Sequence, residues 1–149
     1  MSESELKRKC LDIFEKMEDQ QTDILAELDS LNDEQRHFSI EPEKWNPLQV
    51  VLHLMTAEKL SLIYMRRKAN SNEQLETSGY LSKLRMLVLK LAFSLPFKYK
   101  APRITDSTGK EPEYEKLKSD WKTVRSELKS LIKQLDDETL RSEILKHPR

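Results

Sequence analysis

The feature that most constrains the fold is an unbroken apolar stripe toward the C-terminal end of the chain. Apolar side chains recur there at alternating steps of three and four residues. The members of the stripe are Tyr114, Leu117, Trp121, Val124, Leu128, Leu131 and Leu135. Because an α-helix completes a turn every 3.6 residues, this spacing puts them on one face. The stripe predicts a helix that begins after Glu111-Pro112 and packs along its whole length.

A long first helix is predicted from near Leu6 to Leu31-Asn32-Asp33. Its apolar positions again follow steps of three and four, with one polar gap at Gln20 or Gln21. These positions are Leu6, Cys10, Ile13, Met17, Ile24, Leu28 and Leu31. The pattern is typical of an amphipathic helix that buries one face.

A second helix is predicted to open at Asn46-Pro47, an N-cap residue followed by proline at the first helical position, and to run to about Ala69 or Asn70. It carries two apolar faces. One consists of Leu48, Val51, Met55 and Leu62, and the other of Val50, His53, Ala57, Leu60 and Tyr64. We expect a helix that is apolar on both sides to be buried on both.

The remaining segments complete one all-α domain over residues 1–149. Residues Tyr80 to Phe93 predict a shorter helix, inserted between bundle helices two and three, and Lys98 to Gly109 predicts a loop. Asp136 to Arg149 is expected to form an extended or short-turn tail. With Gly at only 2 positions, the chain has few residues suited to hairpin turns. The prediction is an up-down helical bundle of the four-helix type.

Composition excludes several classes of function. Lys plus Arg and Asp plus Glu both total 26, so no net field attracts nucleic acid. The most apolar stretch, Tyr80 to Phe97, is interrupted by basic residues, which argues against a transmembrane segment. Cys10 is the single cysteine of the sequence and has no partner for a disulfide. We therefore expect a cytoplasmic protein that does not bind nucleic acid.

The histidines are the first candidates for chemistry. His37, His53 and His147 are not spaced to share a helical face as metal ligands. His53 belongs to an apolar stripe that directs its ring between helices, where bundle proteins place metals. On periodicity alone, a core histidine with one hydrogen-bond partner is favoured over a ligand.

Two stretches resemble a known family. They are Leu31-Asn32-Asp33-Glu34-Gln35 and Pro42-Glu43-Lys44-Trp45-Asn46-Pro47-Leu48-Gln49-Val50-Val51-Leu52-His53-Leu54, and Glu58 follows them. Together with His147-Pro148 they resemble the DinB/YfiT-like metalloenzyme superfamily over nearly the whole chain. The resemblance implies a four-helix bundle in which a divalent metal, Zn²⁺ or Ni²⁺, is bound by one histidine of the second helix and a His-x-x-x-His pair of the fourth.

By position, His53 matches the first of these ligands. The His-x-x-x-His pair has no counterpart before Arg149, and His147 matches the His-Pro pair that precedes the last helix. Three alternatives stay open: an incomplete chain, a site completed by a second chain, or no site. A bundle lacking one helix would expose apolar stripes, which favours association, such as a homodimer, or a missing segment over a stable monomer.

Two candidate functions follow from the family resemblance and from the missing His-x-x-x-His pair. The first is a metal-dependent enzyme, a transferase or hydrolase that uses a thiol cofactor on an unidentified small-molecule substrate. The second is a non-catalytic helical scaffold whose contact surface is the basic segment 83–103. This segment contains Lys83, Arg85, Lys90, Lys98, Lys100 and Arg103.

Three other residues are expected to have structural and not chemical roles. Trp45 is expected to act as a hydrophobic staple at the start of the second helix. Glu58 does not share the face of His53, so a solvated helix residue is the preferred interpretation. Cys10 lies in an apolar stripe without a basic neighbour and is expected to be a buried structural thiol.

Overall fold

The computed structural model of the chain describes residues 3–70 and 103–141, and all regular structure in these ranges is helical. The helices are α1 (Glu3–Ser30), α2 (Asp33–Arg36), α3 (Pro47–Ala69), α4 (Tyr114–Gln134) and α5 (Asp137–Arg141), with a 3-10 turn at Arg103–Thr105. No helix in the described part of the chain is long and apolar enough to cross a membrane. The predicted helix Tyr80 to Phe93, His147 and the basic segment 83–103, except for Arg103, lie outside the described residues.

The start of α3 agrees with the sequence prediction. The Asn46 side chain accepts a hydrogen bond from the Gln49 backbone N–H at 2.9 Å, and the Gln49 side chain accepts one from the Asn46 N–H at 3.0 Å. This reciprocal capping box satisfies two backbone donors that a helix otherwise leaves unpaired. Gln49 also donates to the backbone oxygen of Lys110 at 3.1 Å, which ties the start of α3 to the loop before α4.

Side-chain contacts fix the helix directions. Tyr114 at the start of α4 reaches Asp29 near the end of α1, whereas Lys7 near the start of α1 donates to the Lys133 backbone oxygen at the end of α4. These two helices are therefore antiparallel. The starts of α3 and α4 lie together, because Gln49 contacts Lys110, so α3 and α4 run parallel. A parallel pair requires a long connection, and residues 70–113 separate these two helices in the sequence.

The stripe on α4 forms the centre of the core, as predicted. All its members are buried except Leu128, which is half-buried and packs against the core. The core residues that it meets on α1 and α3 are Leu25, Leu28, Leu48, Val51, Met55 and Leu62.

The predicted inner face of α1 is wrong at Ile13, whereas Leu6, Cys10 and Met17 are half-buried. Ile13 is 60% exposed, whereas its neighbour Phe14 is 1% exposed. The buried stripe continues through Gln21 to Leu25 and Leu28, with half-buried Glu18 between Phe14 and Gln21. The sequence prediction failed because it placed apolar residues inside, while this stretch of the core includes polar side chains.

Two further expectations need correction. The second apolar face of α3 is only partly buried: Val50 is 44% exposed, and His53, Ala57, Leu60 and Tyr64 are half-buried. The segment after Leu135 is not simply a tail, because Asp137–Arg141 forms α5. Asp136 caps this helix by accepting the Thr139 N–H at 2.8 Å.

A polar clamp joins the helices at the end of the bundle where α4 begins. Asp29 accepts hydrogen bonds from the Tyr114 hydroxyl at 2.6 Å and from Lys118 at 2.7 Å. Arg36 lies 4.3 Å from the centre of the Tyr114 ring and donates to the Leu28 backbone oxygen at 2.8 Å. Burial, reinforced by the Asp29 carboxylate, raises the pKa of Tyr114, so the hydroxyl remains a donor. The clamp fixes the end of the bundle that also carries His53.

Candidate functional site

The His53 imidazole is held by a backbone hydrogen bond from a distant part of the chain. Its Nδ1 lies 2.8 Å from the backbone oxygen of Thr105. A carbonyl oxygen can only accept, so Nδ1 carries the proton, and in the neutral ring Nε2 is left with a free lone pair. Metal-binding histidines commonly use this arrangement, in which the second nitrogen donates to a carbonyl or carboxylate.

The loop that supplies this carbonyl is fixed by its own hydrogen bonds. Asp106 Oδ1 accepts from the Thr108 backbone N–H at 2.9 Å and from the Thr108 hydroxyl at 2.7 Å. These bonds hold the pKa of the Asp106 carboxyl below its ordinary value. The next turn closes from Lys110 N–H to the Ser107 oxygen at 3.1 Å, with Gly109 at φ +69, a conformation that favours glycine.

Trp45 joins the start of α3 to the same loop. Its indole Nε1 donates to Thr108 Oγ1 at 3.0 Å, and its ring centre lies 5.1 Å from that of His53 at an angle of 44°. The predicted staple had Trp45, at the start of the helix, contacting the bundle about one turn in. The ring contact is instead with His53, farther along α3, so Trp45 covers one side of the imidazole.

The described residues contain His53 as a candidate ligand but no complete metal site. No group of three or more His, Cys, Asp or Glu side chains within residues 3–70 and 103–141 is arranged to hold a metal. His37 is exposed, with its Nδ1 2.9 Å from the Asp33 backbone oxygen. Cys10 is half-buried rather than fully buried, and burial together with nearby Asp137 raises its pKa, which disfavours the thiolate.

Glu58 is part of a polar layer between α3 and α4, so the interpretation of a solvated residue is wrong. Arg125, 5% exposed, donates from Nε and Nη2 to the two Glu58 carboxylate oxygens at 2.7 and 2.7 Å. Trp121 Nε1 donates to Glu58 Oε2 at 3.0 Å. Arg125 Nη1 also faces Glu18 of α1 at 3.8 Å. The layer links three helices through charged side chains.

The burial of Glu58 was predictable from the sequence, but the sequence prediction compared its position only with the helix face of His53. Glu58 follows Met55 by three residues and precedes Leu62 by four, and both neighbours are core residues. Its position on this stripe predicts burial. The Thr-Asp-Ser-Thr-Gly run from Thr105 to Gly109 likewise has turn-forming composition, although no helical period connects it to His53.

The fold and the site together define an all-α bundle protein with an oriented imidazole at one end. The chain belongs to the DinB superfamily, which matches residues 16–149. The resemblance seen around Trp45 and His53 is thereby confirmed at the level of the family. No curated protein and no solved structure matches the chain.

Proposed function

We propose that this protein is a metal-dependent enzyme of the DinB superfamily in which Nε2 of His53 is one metal ligand. The observation that carries the proposal is the hydrogen bond from Nδ1 to the Thr105 carbonyl, because it leaves Nε2 free to coordinate. Catalytic zinc sites usually have three protein ligands and an open position. The other ligands then come from residues outside the described ranges or from a second copy of the chain in a homodimer.

The residues around His53 would prepare the ligand for binding. The Thr105 carbonyl fixes the rotation of the imidazole, and Trp45 shields one side of the ring from solvent. A bound Zn²⁺ or Ni²⁺ supplies Lewis acidity that favours the deprotonated form of a thiol or water. Family resemblance favours transfer to or hydrolysis of a small electrophilic molecule in the cytoplasm, with a thiol cofactor.

The proposal is tested by the metal content of the purified, untagged protein, measured by elemental analysis beside a molecular mass in solution. We expect near-stoichiometric Zn or Ni in the wild type and its loss in His53→Ala, because one imidazole ligand has been removed. One metal per chain in a monomer would place the other ligands in the same chain. Shared metal in a dimer would place them in the second copy.

His37→Ala is the matched control. His37 also directs Nδ1 to a backbone oxygen, but it lies on α2 and is exposed, so its removal is expected to leave the metal content unchanged. Equal metal content in wild type and His53→Ala would contradict the proposal. Absence of metal from the wild type, even after equilibration with Zn²⁺ and Ni²⁺, would also contradict it and favour the non-catalytic scaffold.

A further inference from the structure

We propose that Asp106 is a positioning residue that fixes the proton of His53 on Nδ1, an inference that rests on the proposed function because it concerns the same ligand. Asp106 does not donate or accept a proton in this scheme. It acts through the backbone, by holding the turn whose Thr105 carbonyl accepts from His53.

The first step is the fixing of the loop. Two hydrogen bonds from Thr108 converge on Asp106 Oδ1, at 2.9 Å from the backbone N–H and 2.7 Å from the hydroxyl. The bonds close a short ring of atoms around residues 106–108, and an aspartate that accepts a backbone N–H two residues on is a common turn device. Loss of the acceptor would free the backbone on the C-terminal side of Thr105.

The second step is the link from the loop to the imidazole. Thr105 is 7% exposed and ends the 3-10 turn Arg103–Thr105, and its carbonyl meets His53 across 52 positions of sequence. A peptide imidazole in water favours the tautomer with its proton on Nε2. The Thr105 carbonyl reverses that preference only while its oxygen stays within hydrogen-bond distance of Nδ1.

A second contact, through Trp45, holds the loop next to the imidazole ring. The Thr108 hydroxyl accepts from Trp45 Nε1 while it donates to Asp106, and the Trp45 ring rests against His53. Asp106 therefore influences both groups that touch the imidazole. This continuous set of contacts distinguishes Asp106 from an aspartate that stabilises a loop without consequences for His53.

The test is the tautomer of His53 in the metal-free full chain, read from long-range ¹⁵N–¹H NMR correlations at about pH 8, where an ordinary histidine is neutral. We expect the Nδ1–H form to dominate in the wild type and to become the minor form in Asp106→Ala. Asp106→Asn keeps an acceptor oxygen for Thr108, so it is expected to retain the wild-type tautomer.

Asp136→Ala is the matched control. Asp136 also accepts a backbone N–H, that of Thr139 at 2.8 Å, but it caps α5 after the end of α4, whereas the His53 loop precedes the start of α4. Its replacement is expected to leave the His53 tautomer unchanged. An unchanged tautomer in folded Asp106→Ala, or an equal change in Asp136→Ala, would overturn the inference.

Zn²⁺ titration provides the second readout. Asp106→Ala is expected to weaken binding roughly 10- to 100-fold, the usual effect of removing support behind a metal-binding histidine. Wild-type protein that binds no Zn²⁺ would end the proposed function, whereas the tautomer measurement would still decide whether Asp106 positions the ring. Unweakened binding in Asp106→Ala would count against the inference alone.

Discussion

Replacement of Arg125 by alanine is expected to lower the free energy of unfolding by roughly 3 to 5 kcal/mol, because it leaves Glu58 without its charged partner inside the bundle. Arg125 is 5% exposed and makes two hydrogen bonds to that carboxylate. The Trp121 indole would then still donate to Glu58, at 3.0 Å, but it carries no charge. Urea denaturation followed by circular dichroism measures the effect.

The same two helices provide a control for this prediction. Arg66 and Glu127 form a second Arg–Glu pair between α3 and α4 at 3.0 Å, but their side chains are 45% and 44% exposed. Exposed pairs contribute about 0 to 1 kcal/mol, so Arg66→Ala should have a small effect. Equal losses of unfolding free energy in Arg125→Ala and Arg66→Ala would contradict the burial of the Glu58–Arg125 pair.

A double replacement separates the net contribution of the ion pair to the free energy of unfolding from the destabilisation caused by leaving one charge unpaired. Arg125→Met with Glu58→Leu removes both charges together and is expected to recover most of the stability lost in Arg125→Ala. Buried ion pairs replaced by apolar side chains of similar volume are often neutral or stabilising. A double variant as unstable as Arg125→Ala would indicate that the loss does not come from unpaired Glu58 but from packing or from Glu18 and Trp121, which lose Arg125 and Glu58 as partners.

The second large effect concerns the inner face of α1. Phe14→Ala is expected to cost roughly 3 to 5 kcal/mol, because Phe14 is 1% exposed and its removal leaves a cavity. Ile13→Ala, one residue earlier, should change stability by less than about 0.5 kcal/mol, because Ile13 is 60% exposed. The reverse order of effects would mean that the helix is rotated toward the face that apolar periodicity alone predicts.

Local signals in the sequence predicted the parts of the fold that local interactions determine. Asn46-Pro47 carries both the cap and the first-turn proline of α3, so its start was readable from two adjacent residues. The stripe on α4 was readable because almost every inward position is apolar. The family resemblance, which was recognised from short motifs such as that around Trp45 and His53, is confirmed by the DinB superfamily match over residues 16–149.

The remaining features depend on contacts between distant residues. Glu18, Gln21 and Glu58 occupy inward positions that a search for apolar periodicity discards. Arg125 of another helix compensates the charges of Glu18 and Glu58. The hydrogen bond between His53 and Thr105 spans 52 positions, and no helical period relates the two residues. The sequence therefore identified His53 as a candidate but not the loop that orients it.

The most direct test of the account is the ¹⁵N NMR spectrum of His53 in the wild-type chain before and after one equivalent of Zn²⁺. We expect Nε2 to begin as the unprotonated nitrogen and its signal to shift strongly on addition of the metal, while Nδ1 keeps its proton and its bond to Thr105. An Nε2 signal that does not respond to Zn²⁺, or a response confined to Nδ1, would contradict the assignment of His53 as a metal ligand.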